Sequence, residues 1–116
     1  MPLRYPLAAL MALLAFAGAP AAQSLSDIVI NEVDADQTST DSAEFLELYN
    51  TGAVAVDMSD AVIVFFNGSG EAAYQAFDLD GVTIAAGDYF VLCANASTTP
   101  NCDLDVTPET NLIQNG

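Results

Sequence analysis

The 116-residue sequence contains no histidine and no tryptophan, and Arg4 is its only basic residue. Without histidine there is no imidazole base and no histidine-bearing zinc site. With no lysine and a single arginine there is no basic surface for phosphate backbones, which those side chains bind. Nucleic-acid binding by this segment is therefore excluded, and anionic membrane surfaces are disfavoured for the same reason. Cysteine is scarce, with Cys93 and Cys102 alone. A thiol nucleophile lacks its partner base, and a zinc site lacks further ligands. In an oxidising compartment the expected state is a Cys93–Cys102 disulfide. It encloses a short polar loop and contributes on the order of 2 to 3 kcal/mol in the chain-entropy model. No Gly-x-Ser-x-Gly elbow is present.

Long apolar runs are also missing, with one exception at the start. Arg4 precedes an unbroken apolar stretch from Leu7 to Ala17, and Ala19-Pro20-Ala21 follows with small residues. A membrane span needs about 20 apolar residues, and this stretch breaks earlier, at Gly18 and Pro20. It reads as a signal peptide over residues 1–21, with cleavage after Ala21 preferred to Ala22. No later segment is long enough to span a bilayer. The protein is therefore expected to be secreted, periplasmic or at the cell surface.

Arg4 leaves with the leader, so the remaining chain carries 16 acidic side chains and no Lys, Arg or His. The acidity has three readings: a solubility device for salty surroundings, a host for hard cations such as Ca²⁺, or a local bias within a longer protein. Residues 22–116 suffice for one small domain.

That domain reads as short strands between turns: 28–33, 44–49, 53–56, 61–66, 74–79, 82–84, 89–93 and 104–106. Turn clusters separate them, such as Asn67-Gly68-Ser69-Gly70 and Ala86-Gly87-Asp88. No window after the leader has helical periodicity. Short strands at this spacing point to an all-β sandwich or barrel.

Three stretches carry a family resemblance. They are Ile30-Asn31-Glu32-Val33; Glu44-Phe45-Leu46-Glu47-Leu48-Tyr49-Asn50-Thr51-Gly52 with Val56-Asp57-Met58-Ser59; and Gly81 to Leu92, which includes Gly87-Asp88-Tyr89. In this order they resemble the lamin tail domain, an immunoglobulin-like β-sandwich of nuclear lamins and many secreted bacterial proteins. Phe45 stands where many members have Trp. The family's later strands imply a sandwich left incomplete at the C-terminus, with an edge free to pair, and further domains in the same chain. The motif residues Asn31, Glu32, Glu44, Phe45, Glu47, Tyr49, Asn50 and Gly87 are implied to be framework, with no catalytic residue among them.

Embedded Asn31, Glu32, Glu47 and Asn50 occupy strand positions expected to be partly buried, where they need hydrogen-bond partners. Their structural role is to accept backbone N–H bonds and fix the ends of the sandwich. The sharper reading is a carboxylate pair of the glycosidase type. Glu44 and Glu47 lie three apart on a strand and point to opposite faces, which leaves Glu32 as the only cross-strand partner.

Asp34, Asp36 and Asp41 supply three hard-oxygen donors in one Thr/Ser-rich loop, the best candidate metal site, with calcium as its ion. The loop is no EF-hand: Gly is absent at its sixth position and Phe45 stands at its twelfth. Asx turns account for such loops equally well. Asn67-Gly-Ser and Asn95-Ala-Ser match the glycosylation sequon.

The resemblance implies a non-catalytic module for binding, positioning or cell-surface association, with an unidentified protein or surface ligand as partner. Two alternatives stand beside it. One is the leading accessory part of an extracellular nuclease or phosphatase whose catalytic domain lies beyond Gly116. The other is a calcium-stabilised adhesion protein.

Overall fold

The computed structural model describes residues 24–114. The signal peptide read over 1–21 lies outside them. A short 3-10 turn, Leu25–Asp27, opens the described chain, and Ser24 caps it by accepting the Ser26 N–H. Eight strands follow: β1 (Ile28–Asp34), β2 (Phe45–Asn50), β3 (Val56–Asp57), β4 (Val62–Asn67), β5 (Ala72–Asp78), β6 (Thr83–Ile84), β7 (Tyr89–Cys93) and β8 (Leu104–Asp105). Among the described residues none lies in an α-helix, and no helix is long and apolar enough to cross a membrane.

The main sheet has the order β1-β2-β7-β8. β2 shows why it forms. Leu46, Leu48 and Asn50 are buried, while Phe45, Glu47 and Tyr49 between them are half-buried on the other face. This is the two-residue period of a pleated strand with one face on a core. β7 pairs with β2 in antiparallel register, Leu46 opposite Leu92 and Leu48 opposite Phe90. From Phe90 to Cys93 every residue of β7 is buried. Phe90 and Leu92 join the core. Val91 faces away from it, in hollows it shares with Asn101. The Cys93–Cys102 disulfide forms as expected, with its Cα atoms 5.7 Å apart. It holds the connection that carries the chain from β7 to the parallel strand β8.

Two two-stranded sheets make up the rest of the described fold. β4 and β5 form a hairpin, and β3 pairs with β6. At the hairpin tip Asn67 Oδ1 accepts the Ser69 N–H at 2.8 Å, an Asx turn. Phe65 packs edge-on against Phe77, with ring centres 5.7 Å apart. Leu46, Leu48, Val56, Met58, Phe65, Leu79, Ile84, Phe90 and Leu92 form one contiguous core between the sheets. The architecture is the immunoglobulin-like sandwich that the sequence implied.

Boundaries differ in places. The strand expected at 53–56 is Val56–Asp57, because Asn50 draws the preceding residues into a turn. The strand expected at 74–79 starts earlier, at Ala72, because the hairpin ladder runs down to Asn67 opposite Ala72. Gly87 has φ +70 and its N–H donates to the Asn50 carbonyl at 3.0 Å. This left-handed turn before β7 favours glycine.

Candidate functional site

The polar residues of the family motifs divide into two groups. Glu44 and Asn50, at the two ends of β2, are fully buried at 0% exposure. Asn50 Nδ2 donates to the carbonyls of Val54, Ile84 and Ala85 at 2.8, 3.0 and 3.1 Å. Its Oδ1 accepts the Gly52 N–H at 2.9 Å. One side chain thereby closes the turn after β2 and ties it to the end of β6. Gly52 sits so near that an added Cβ would lie 2.8 Å from Asp27 Oδ2.

Glu44 performs the same task at the other end. Its carboxylate accepts backbone N–H bonds from Leu112 and from Ile113, the latter at 3.1 Å. Its own carbonyl accepts the Ala94 N–H. Burial pushes its carboxyl pKa above the ordinary 4.5; the two backbone bonds pull it part of the way back, and Asp41 and Asp34 push it up again. A carboxylate so engaged is an anchor for the C-terminal segment. Leu112, pinned there, is itself buried in the core.

Asn31, Glu32 and Glu47 form the second group. The expectation that Asn31 and Glu32 are partly buried is corrected: both are exposed, because β1 is the last strand of its sheet and bulges between Ile30 and Glu32. Glu32 lies directly opposite Glu47, a like-charge pairing that costs stability. Asn31 offsets it by donating to Glu47 Oε1 at 2.6 Å. A hollow of about 280 Å³ lies here, bounded by Glu32, Phe45, Glu47, Val91, Thr99 and Pro100 among others. Thr99 Oγ1 is buried there without a hydrogen bond. Beside the hollow, Tyr49 stacks on Tyr89 with ring centres 4.6 Å apart. Asp88 and Asp103 border the adjoining surface, and each accepts a backbone N–H, from Tyr89 at 2.9 Å and from Val91 at 2.8 Å.

The acidic loop is organised by Gln37. Asp34 Oδ1 accepts the Gln37 side-chain amide at 2.9 Å, Asp41 Oδ1 accepts the Gln37 backbone N–H at 2.8 Å, and Gln37 Oε1 accepts the Ala43 N–H at 3.0 Å. The trio Asp34, Asp36 and Asp41 is not gathered into a cage. Among the described residues no three His, Cys, Asp or Glu side chains come together closely enough to hold a metal ion.

The apolar counterpart of these surfaces is a groove of about 410 Å³ between β1 and β4. Ile28, Ile30, Leu48, Met58, Ile63 and Phe65 are among its walls, and the rest of the lining is apolar too. Sequence reasoning missed it, although β1 and β4 both carry more apolar residues than a one-sided strand needs.

Comparison with protein families decides what this sandwich is. The family model described as Lamin Tail Domain matches residues 21–115. The chain belongs to the lamin tail domain family. Searches of curated proteins and of solved structures find no match. Lamin tail domains are immunoglobulin-like modules, generally without catalysis. The geometry agrees with the immunoglobulin-like description in this member. Buried Glu44 and Asn50 hold backbone, and Asn31 holds Glu47. In this lamin tail domain the open chemistry is in the groove and on the acidic outer face.

Proposed function

We propose that this lamin tail domain is a secreted, non-catalytic module that binds a protein or cell-surface ligand and positions what is attached to it. One observation carries the reading. Buried Glu44 and Asn50 are spent on framework bonds, and an apolar groove stays open between the sheets. Open apolar surface rimmed by polar residues marks interaction sites. The leader-like residues 1–21 support export, and an exposed, wholly anionic surface suits a soluble extracellular module.

The test has three parts. Expressed with its leader in a Gram-negative host, the protein is expected outside the cytoplasm with its new N-terminus at Ala22, as read by N-terminal sequencing. The exported chain is expected to be blank in nuclease, phosphatase and glycosidase assays. It is expected to bind saturably to envelope or extracellular-matrix fractions of its own host. Turnover by the purified chain, or no retention by any such fraction, would sink the proposal.

A further inference from the structure

The groove lies between two strand edges that are free among the described residues. β1 ends its sheet, and β4 pairs with β5 alone. A free edge presents a row of unpaired N–H and C=O groups, and natural proteins guard such edges with Lys, Pro or bulges. β1 has neither Lys nor Pro, and its bulge comes only after Ile30. The stretch Ile28 to Ile30 is therefore unguarded. Ile30 is 65% exposed and Val62, on the opposite wall, 54%. Side chains so exposed at the mouth of an apolar groove are partners for apolar atoms still to arrive.

We propose that the groove receives an extended peptide strand, with alternating apolar residues and Lys or Arg at its flanks, which adds to the free edge of β1. The inference rests on the binding-module reading and names the class of partner. Strand addition supplies backbone hydrogen bonds to the edge, and pockets take alternate side chains. Charge selects the flanks. The described residues hold 16 carboxylate side chains and no Lys, Arg or His. Acids flank the groove's lining residues: Asp78 lies across the β4–β5 ladder from Val62, and Asp27 and Asp60 are the chain neighbours of Ile28 and Ala61. A second copy of this chain would bring the same charges to the same rim, and like charges facing each other oppose association. A strand with basic flanks meets both the apolar walls and the acidic mouth.

The probe is a capped nonapeptide of alternating Val and Thr with Lys at both ends, titrated into the exported chain by fluorescence anisotropy. Saturable binding is expected, with slowed amide exchange over Ile28 to Ile30. Ile30→Asp and Val62→Asp should each weaken it by about tenfold or more, about the effect of one well-placed contact. Phe66→Asp should not, since Phe66 is 64% exposed yet outside the groove lining. If Ile30→Asp fails to fold, Val62→Asp carries the test. The same peptide ending in Glu should bind about tenfold more weakly at low salt, a difference that shrinks as salt screens the rim. The proposal is overturned by absence of peptide binding, by unchanged affinity in the groove variants, by equal affinity of the Lys-ended and Glu-ended peptides, or by self-association that protects Ile28 to Ile30. In the envelope assay, Ile30→Asp binding as well as the parent would overturn the groove and leave the module reading standing. A parent chain that does not bind there defeats the module reading, whatever the peptide does.

Discussion

Removing the Glu44 carboxylate should detach the C-terminal segment before it unfolds the domain. The carboxylate accepts two backbone N–H bonds, from Leu112 and Ile113. Bonds to a charged acceptor contribute about 1.5–3 kcal/mol each, and the burial that raises the Glu44 pKa offsets part of this, which leaves about 3 kcal/mol, the low end for the pair. Burial of Leu112 contributes about a further 1.5–3 kcal/mol. Against this stands the ordering of Leu112 and Ile113, at about 1–2 kcal/mol per residue, or about 2–4 kcal/mol, Gln114 being held separately by Tyr74 and Asn67. With the carboxylate present the segment is held. Without it, the entropy regained matches or exceeds the burial of Leu112, and leaving Leu112 and Ile113 docked would strand two unpaired N–H groups. In Glu44→Ala the amides of Leu112 and Ile113 should therefore exchange with deuterium about a hundredfold faster or more, the factor that about 3 kcal/mol sets. Core amides such as those of Leu48 and Leu92 should keep most of their protection. Native-state hydrogen exchange reads both at once. Unchanged protection at Leu112 and Ile113, or an equal loss at all four, would refute the reasoning.

Acid separates Glu44 from the other carboxylates. Its folded-state pKa is raised, so between 4.5 and that folded value the folded chain holds more protons than the unfolded one. The stability of the parent relative to Glu44→Gln should thus rise as pH falls through this window and level off below 4.5, as read by urea unfolding at each pH. A difference that is flat, or that falls, contradicts the assignment. Asp57, held below its ordinary 3.8 by Ser59, acts with the opposite sign, stabilising above that value and losing its contribution as pH drops through its folded pKa. Replacing both cysteines with alanine should lower the unfolding free energy by about 2.6 kcal/mol, the chain-entropy value for a separation of 9 residues, measured by urea midpoint at unchanged slope. Asn50→Asp, nearly the same shape, turns a buried donor into a charge facing the carbonyls of Val54, Ile84 and Ala85. A loss of roughly 3–5 kcal/mol is expected from equilibrium unfolding.

The strands were legible because their patterns are local. β2 alternates, β7 is a continuous apolar run, and glycine turns separate them; both signals depend only on neighbours in sequence. The disulfide was legible because two cysteines leave one pairing. Burial within the motifs was less so. Asn31 and Asn50 look alike in sequence, yet one lies on the outer strand β1 and the other at the end of the inner strand β2. Strand order decides that, and no single strand encodes its place in a sheet. The anchoring role of Glu44 was invisible for a related reason: its partners are backbone groups, which every residue possesses. The groove was missed because it belongs to β1 and β4 jointly. The Asp34, Asp36 and Asp41 pattern did not show the loop's own bonding, in which Gln37 links Asp34 and Asp41.

The bonds from Glu44 to Leu112 and Ile113 span 68 and 69 residues. A ribosome adding about 5–20 residues per second needs about 3 to 14 s to cover the smaller interval. Throughout that time the Glu44 carboxylate lacks both partners, and Leu112 is missing from the core. The two residues that lock the sandwich are thus nearly the last of the described chain to be made. The domain holds this latch open until nearly all of its described residues have been made.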